Sequence, residues 1–148
     1  MIPPRSDDDP EARDPSRPGA ARTVRAHGAE IPVLGLGTWR LEGRTARSVT
    51  EAALDLGYRH VDTARAYGNE EEIGRALDAA DVDRGDVFLT TKIWPDDYAP
   101  DPFRAAVEDS LERLRTDRVD LLLLHWPHFE HASLEEALEE LARAREIG

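Results

Sequence analysis

The 148-residue chain carries 31 acidic against 19 basic residues, a formal net charge of -12, with 40% hydrophobic residues and no cysteine. The charge repels phosphate backbones and anionic lipid surfaces, so neither nucleic acid nor membrane is an expected partner. The missing cysteine removes disulfides, thiolate metal sites and a cysteine nucleophile, and with no apolar run of about 18 residues and no charged-then-apolar leader a cytoplasmic protein is expected.

In chain order, residues 1–22 hold Pro3, Pro4, Pro10, Pro15 and Pro18 among Asp7, Asp8 and Asp9, with almost nothing to bury, which predicts a disordered tail. Residues 23–33 alternate weakly around His27-Gly28, as a short β-hairpin does. After that one plan repeats. Val33 to Gly37 reads as a strand, and the helix beyond it places Val49, Ala53 and Leu56 on one face before Gly57. His60 to Ala64 is the second strand, followed by a helix opening near Asn69 with Ile73, Ala76, Leu77 and Ala80 inward. Glu70, Glu71 and Glu72 fall in its first turn, where carboxylates complement the helix dipole. Val87 to Ile93 is the third strand, and Phe103, Val107, Leu111 and Leu114 stripe the next helix. Val119 to His125 is the fourth strand, apolar on both faces as doubly buried strands are. Ser133 then opens a helix with a capping-box partner at Glu136 and an inward face of Leu134, Leu138 and Leu141.

Strand then helix, four times, is the pattern of successive βαβ units on a parallel sheet. An open doubly wound sheet and a (β/α)₈ barrel both fit. Gly35-Leu36-Gly37-Thr38-Trp39-Arg40 lacks the third glycine of a dinucleotide-binding turn, which favours the barrel. The fold expected is therefore α/β: the N-terminal half of a (β/α)₈ barrel over residues 23–148, a β-hairpin followed by about four βα units.

In such a barrel the residues at the C-terminal strand ends converge on one face. Those positions hold Gly37, Thr38 and Trp39, then Asp62 with Tyr67 beyond it, then Lys92, then His125, Trp126 and Pro127. Lys92 is the single lysine of the chain, at the end of an apolar run, while the other 18 basic residues are arginines. Acidic surplus with so little lysine is seen in proteins of salt-loving microbes, and a GC-rich genome explains the arginine bias equally well. A compact ammonium does what a planar guanidinium cannot. Tyr67 is the candidate general acid, since a phenol is neutral at pH 7 and can give its proton to an oxygen gaining charge. Lys92 stabilises the phenolate left behind, Asp62 holds the lysine, and His125 donates a second hydrogen bond to the same oxygen. Each has a plainer reading: Asp62 as a turn cap, Tyr67 as loop, His125 as a core histidine, Trp39, Trp94 and Trp126 as packing. His125, His128 and His131 recur every three residues, but Pro127 prevents one helix from aligning them on a metal.

These blocks resemble the aldo-keto reductase family. The matching text runs from Ile31 to Trp39, from Gly57 to Ala64 with Tyr67-Gly68-Asn69-Glu70, through Thr91-Lys92, and from Asp120 to Pro127. Their order and spacing are similar to those of compact microbial members acting on small carbonyl compounds. The resemblance implies metal-free reduction of an aldehyde or ketone with NADP(H), NAD(H) remaining the alternative. It implies Asp62, Tyr67, Lys92 and His125 as the catalytic set, Gly37, Thr38 and Asp62 near the nicotinamide, Trp39 and Trp126 as substrate walls, and the hairpin as a plug at the barrel bottom. A whole barrel takes about 250 residues, so the chain reads as truncated. The family's serine-asparagine pair, stacking tyrosine and basic adenosine-phosphate grip would lie in the other half. Exposed sheet edges would then favour self-association. Two alternatives remain: an inactive remnant or partner-binding half-barrel, and a phosphate-binding barrel whose anion site lies in the later strands.

Overall fold

A computed structural model describes residues 22–147. The expected N-terminal tail, save Arg22, lies outside the described residues. β1 (Thr23–Ala26) and β2 (Ala29–Pro32) form the antiparallel hairpin, registered Thr23 to Pro32 and Ala26 to Ala29. His27 and Gly28 join them with φ of 48° and 88°, the paired positive values that a two-residue hairpin turn with the right twist requires.

The remaining strands form one parallel sheet in the order β3 (Leu36–Gly37), β4 (His60–Asp62), β5 (Phe88–Ile93), β6 (Leu121–Leu124). Helices α1 (Gly43–Asp55), α2 (Glu70–Ala79), α3 (Pro100–Leu114) and α4 (Leu134–Ile147) follow them in turn. Strand alternation sorts the side chains. Val61, Leu89, Ile93, Leu122 and Leu124 face the helices, packing with Leu54, Ile73 and Leu114 in one cluster and with Tyr98, Phe103 and Ala137 in another. His60, Asp62, Thr90, Lys92 and Leu123 take the opposite face, where His60 Nε2 meets Thr90 Oγ1 at 3.2 Å.

Four expectations change. Val33 and Leu34 precede the first strand rather than forming it, and both are exposed. Leu56 is 80% exposed because α1 ends at Asp55 and the chain reverses at Gly57 (φ 93°), leaving Leu54 to fill the core. In α4 the inward residues are Ala137 and Glu140, with Leu141 and Ala144 packed beside them, while Leu134 and Leu138 are exposed. Ala137 joins Ile93, Tyr98, Phe103 and Ala106 in the second core cluster. β6 is half-buried, since its second face looks away from the helices. The expected capping box forms: Ser133 N and Oγ both donate to Glu136 Oε2 at 2.8 Å, and Glu136 N donates to Ser133 Oγ.

Candidate active site

The C-terminal ends of the strands carry the expected residues on one rim. Thr38, just past β3, is fully buried and donates both N–H (2.9 Å) and Oγ1 (3.1 Å) to the carbonyl of Asp62. Its hydroxyl is spent holding two strand ends together, so it backs the rim instead of lining it. Lys92 projects from β5 across to β4, where Nζ donates to Asp62 Oδ1 at 2.6 Å and to the Thr63 carbonyl at 2.9 Å. Its side chain is only 13% exposed. A lysine whose charge is held by a carboxylate and a carbonyl keeps a fixed direction, as a solvated one does not.

That direction is toward Tyr67. A 3-10 turn, Arg65–Tyr67, carries the phenol, and Lys92 Nζ stands 5.2 Å from the centre of its ring. The His125 ring meets Tyr67 edge-on, centroids 5.5 Å apart at 77°, and also meets Trp94 edge-on at 5.1 Å and 86°. His125 N–H donates to the Ile93 carbonyl at 2.9 Å, which extends the β5–β6 ladder by one residue and fixes where the imidazole starts. Burial and then the nearby Lys92 charge push His125 below the ordinary histidine range, so the imidazole is neutral at pH 7. Its Nδ1 is buried and has no hydrogen-bond partner among the described residues. An unpaired lone pair costs less than an unpaired N–H, which favours the tautomer with the proton on Nε2.

Asp62, Tyr67, Lys92 and His125 are thus brought together, and Gly37 lies beside them, exposed, with nothing within 4 Å of where a Cβ would stand. Trp39 and Trp126 are 64% and 58% exposed on the same rim. His128 and His131 turn elsewhere, to Glu130 (3.5 Å) and Asp96 (3.7 Å). A small cavity lined by Leu54, Leu77, Val87 and Leu114 lies at the other end of the sheet, away from these groups.

Supporting residues that spacing did not reveal surround the set. Arg65 donates to Asp97 at 3.2 Å and to Asp109, while Arg113 Nε donates to Asp109 at 3.0 Å, tying the Tyr67 turn to α3. Glu70 is not a solvated dipole partner. It is 1% exposed and accepts from Thr91 Oγ1 and Ser110 Oγ. Asn69 and Tyr98 are also buried and fully engaged. A helical apolar rhythm signals only that a face is inward; partners 21 to 44 residues away leave no local pattern.

A parallel α/β half-ring with helices on one face and an acid, ammonium, carboxylate and imidazole on its C-terminal rim defines a barrel-type enzyme scaffold. The family model for the aldo/keto reductase family matches residues 33–148, and the chain belongs to that family. It is 42% identical over 119 residues to the methylglyoxal reductase DkgB of Escherichia coli O157:H7, covering 80% of this chain and 45% of the relative. A solved structure described as a candidate 2,5-diketo-D-gluconic acid reductase B superposes with a TM-score of 0.82 at 48% identity, over 86% of this chain and 45% of that one. The Bombyx mori aldo-keto reductase in complex with NADP gives 0.80 at 32% identity, over 86% and 48%. The chain spans about half the length of the relatives it matches. No helix among the described residues is long and apolar enough to cross a membrane.

Proposed function

We propose that this rim serves the reduction of a small aldehyde or ketone to an alcohol with NADP(H), Tyr67 being the proton donor. The observation that supports this most is the Lys92 ammonium, held by Asp62 and the Thr63 carbonyl and standing 5.2 Å from the Tyr67 ring centre. Gly37, with open space where a side chain would stand, and Asp62 beside it would hold the nicotinamide end of the cofactor, Thr38 fixing the Asp62 backbone behind them. When bound, NADP(H) supplies the hydride that adds to the carbonyl carbon. The rest falls to this chain. As the oxygen gains negative charge, the Tyr67 O–H bond breaks and a new O–H bond forms on the substrate; the phenolate is stabilised by Lys92 and takes its proton back from solvent. Neutral His125, with its proton on Nε2, donates a hydrogen bond that orients the carbonyl. Trp39 and Trp126 wall the pocket, whose apolar faces suit an uncharged carbonyl compound, whether a 2-oxoaldehyde or an aromatic aldehyde. A second copy seated against the β3 or β6 edge would be the partner expected of an unclosed sheet, and sedimentation velocity reads that out.

The test is product analysis. The chain is incubated with methylglyoxal and NADPH deuterated at the transferable C4 position. An alcohol carrying deuterium on the carbinol carbon is expected; absence of alcohol, or alcohol without the label, overturns the reading.

A further inference from the structure

The two tryptophans that flank the site are exposed, Trp39 touched by the Arg40 guanidinium 4.4 Å over its ring; two buried side chains, one for each, hold the backbone from which they project. Trp39 sits in the turn Thr38 to Leu41, closed by Leu41 N–H donating to the Thr38 carbonyl at 3.1 Å, with Arg40 at φ 63°. Positive φ in a non-glycine residue is uncommon and has to be held in place by its surroundings. Asn69 does so. Its Nδ2 donates to the carbonyls of Thr38 and Leu41, both at 2.9 Å, and its Oδ1 accepts from Thr63 Oγ1 at 3.1 Å. Asn69 occupies the N-cap of α2, yet makes no side-chain cap bond there. An asparagine at that position ordinarily caps its own helix; here the amide, 3% exposed, is given to the loop after β3 instead.

Trp126 is held in a different way. The Tyr98 hydroxyl donates to the Trp126 carbonyl at 2.9 Å and accepts from the Trp126 N–H at 3.2 Å, so one side-chain oxygen meets both polar backbone groups of one residue. Tyr98 is fully buried, and its ring packs beside Phe129 at 5.9 Å. Burial raises its phenol above the ordinary range, although the hydrogen bonds from the Trp126 and His125 backbone act against this. The group therefore stays neutral and keeps the proton it donates. Neither side chain takes part in the Lys92 bonds to Asp62 and Thr63 or in the ring contacts of Tyr67 with Lys92 and His125.

We propose that Asn69 and Tyr98 are positioning residues that set which carbonyl compounds the pocket accepts, each by fixing the backbone that carries one tryptophan wall. The proposal rests on the reductase reading for its substrate, but the clamps themselves are testable without turnover. Compact substrates that touch Tyr67 and His125 alone are insensitive to wall placement; flat aromatic aldehydes, which need both walls, are not.

The experiment uses the whole chain labelled with 5-fluorotryptophan, whose fluorine NMR lines are assigned by replacing each of Trp39, Trp94 and Trp126 with Phe. In Tyr98→Phe the Trp126 line should shift or broaden and the Trp39 line stay; in Asn69→Ala the reverse. With NADPH, each variant should lose about fivefold in kcat/KM for 4-nitrobenzaldehyde through KM, while kcat for methylglyoxal holds within about twofold. All three lines moving together, no line moving, or an equal loss of kcat on both aldehydes would overturn the proposal. Should Asn69→Ala fail to fold, Tyr98→Phe, which removes one oxygen, decides the case alone. If the unsubstituted chain reduces neither aldehyde, the reductase reading and the substrate-selecting role fall together, and the fluorine lines still decide whether the clamps exist.

Discussion

Replacing Glu70 with glutamine should stabilise the protein at neutral and alkaline pH, with a gain that vanishes in acid. Glu70 is 1% exposed between β5 and α3, accepting from Thr91 Oγ1 at 2.6 Å and Ser110 Oγ at 3.2 Å. Burial pushes its carboxyl above the ordinary range, and the two hydroxyls, with the charges of Arg113 and Arg65, recover only part of that cost. A folded state that binds the proton more tightly than the unfolded chain holds more protons between the two pKa values, so stability falls as pH rises through that window. The contribution is fully present below the unfolded carboxylate value and lost above the folded one. Glutamine keeps the shape, carries no charge, and can donate to one hydroxyl while accepting from the other. A buried carboxylate costs several kcal/mol and two hydroxyl bonds return most of it, leaving about 1 to 2 kcal/mol for Glu70→Gln to recover at pH 8. For a domain of this size that is a rise in Tm of about 3 to 6 °C. Differential scanning calorimetry of both proteins at pH 8 and pH 4 measures it. A Tm at pH 8 that is unchanged or lower, or a gain of equal size at pH 4, would refute the argument that desolvation governs this carboxyl.

Lys92→Met removes the donor to Asp62 and Thr63 and should cost about 1 to 3 kcal/mol in urea denaturation, the lower end applying because the Asp62 side chain is over a third exposed. The same substitution should lower kcat for carbonyl reduction by about 100-fold or more, the scale of acid catalysis lost with its charge partner. Gly74→Ala puts a methyl 2.7 Å from the Leu114 carbonyl carbon and closer still to the Arg113 oxygen, both backbone atoms that cannot step aside. It should cost about 1 to 3 kcal/mol, visible as a lower urea midpoint at unchanged m-value. Ser133→Ala breaks the capping box and should cost about 1 kcal/mol, with faster amide exchange confined to the first turn of α4.

The sheet, its helices and the rim were legible because each rests on a repeating local signal. Period-two runs placed β4 and β5 within a residue or two, and the same alternation put Asp62 and Lys92 on one face, 2.6 Å apart across two strands. His27-Gly28 announced the hairpin by the φ values it can adopt, and Ser133 with Glu136 announced a helix start. Sequence and structure differ where a hydrophobic residue has two possible faces. Leu134 and Leu138 outweigh Ala137 in any hydrophobic count, yet the face that α4 turns to the core is the one that carries the alanine. Leu56 looked like one more turn of α1, but Gly57 ends the helix one residue too soon. The site's supports were hidden for another reason. Asn69 and Glu70 have conventional roles at a helix start, and only tertiary packing redirects them to Thr38, Leu41, Thr91 and Ser110. Tyr98 and Arg65 sit in short turns whose partners are 28 or more residues away.

The Tyr67 hydroxyl is the proton donor on which carbonyl reduction at this rim depends, and single-turnover reduction of methylglyoxal by this chain, compared with Tyr67→Phe at equal NADPH occupancy, tests that most directly. The phenylalanine keeps the ring between Lys92 and His125 and removes one oxygen, so nucleotide affinity should hold while NADPH oxidation at pH 7 slows by about 100-fold or more. A variant that oxidises NADPH as fast as the unsubstituted chain would mean the proton comes from elsewhere, and the assignment of this rim would be wrong.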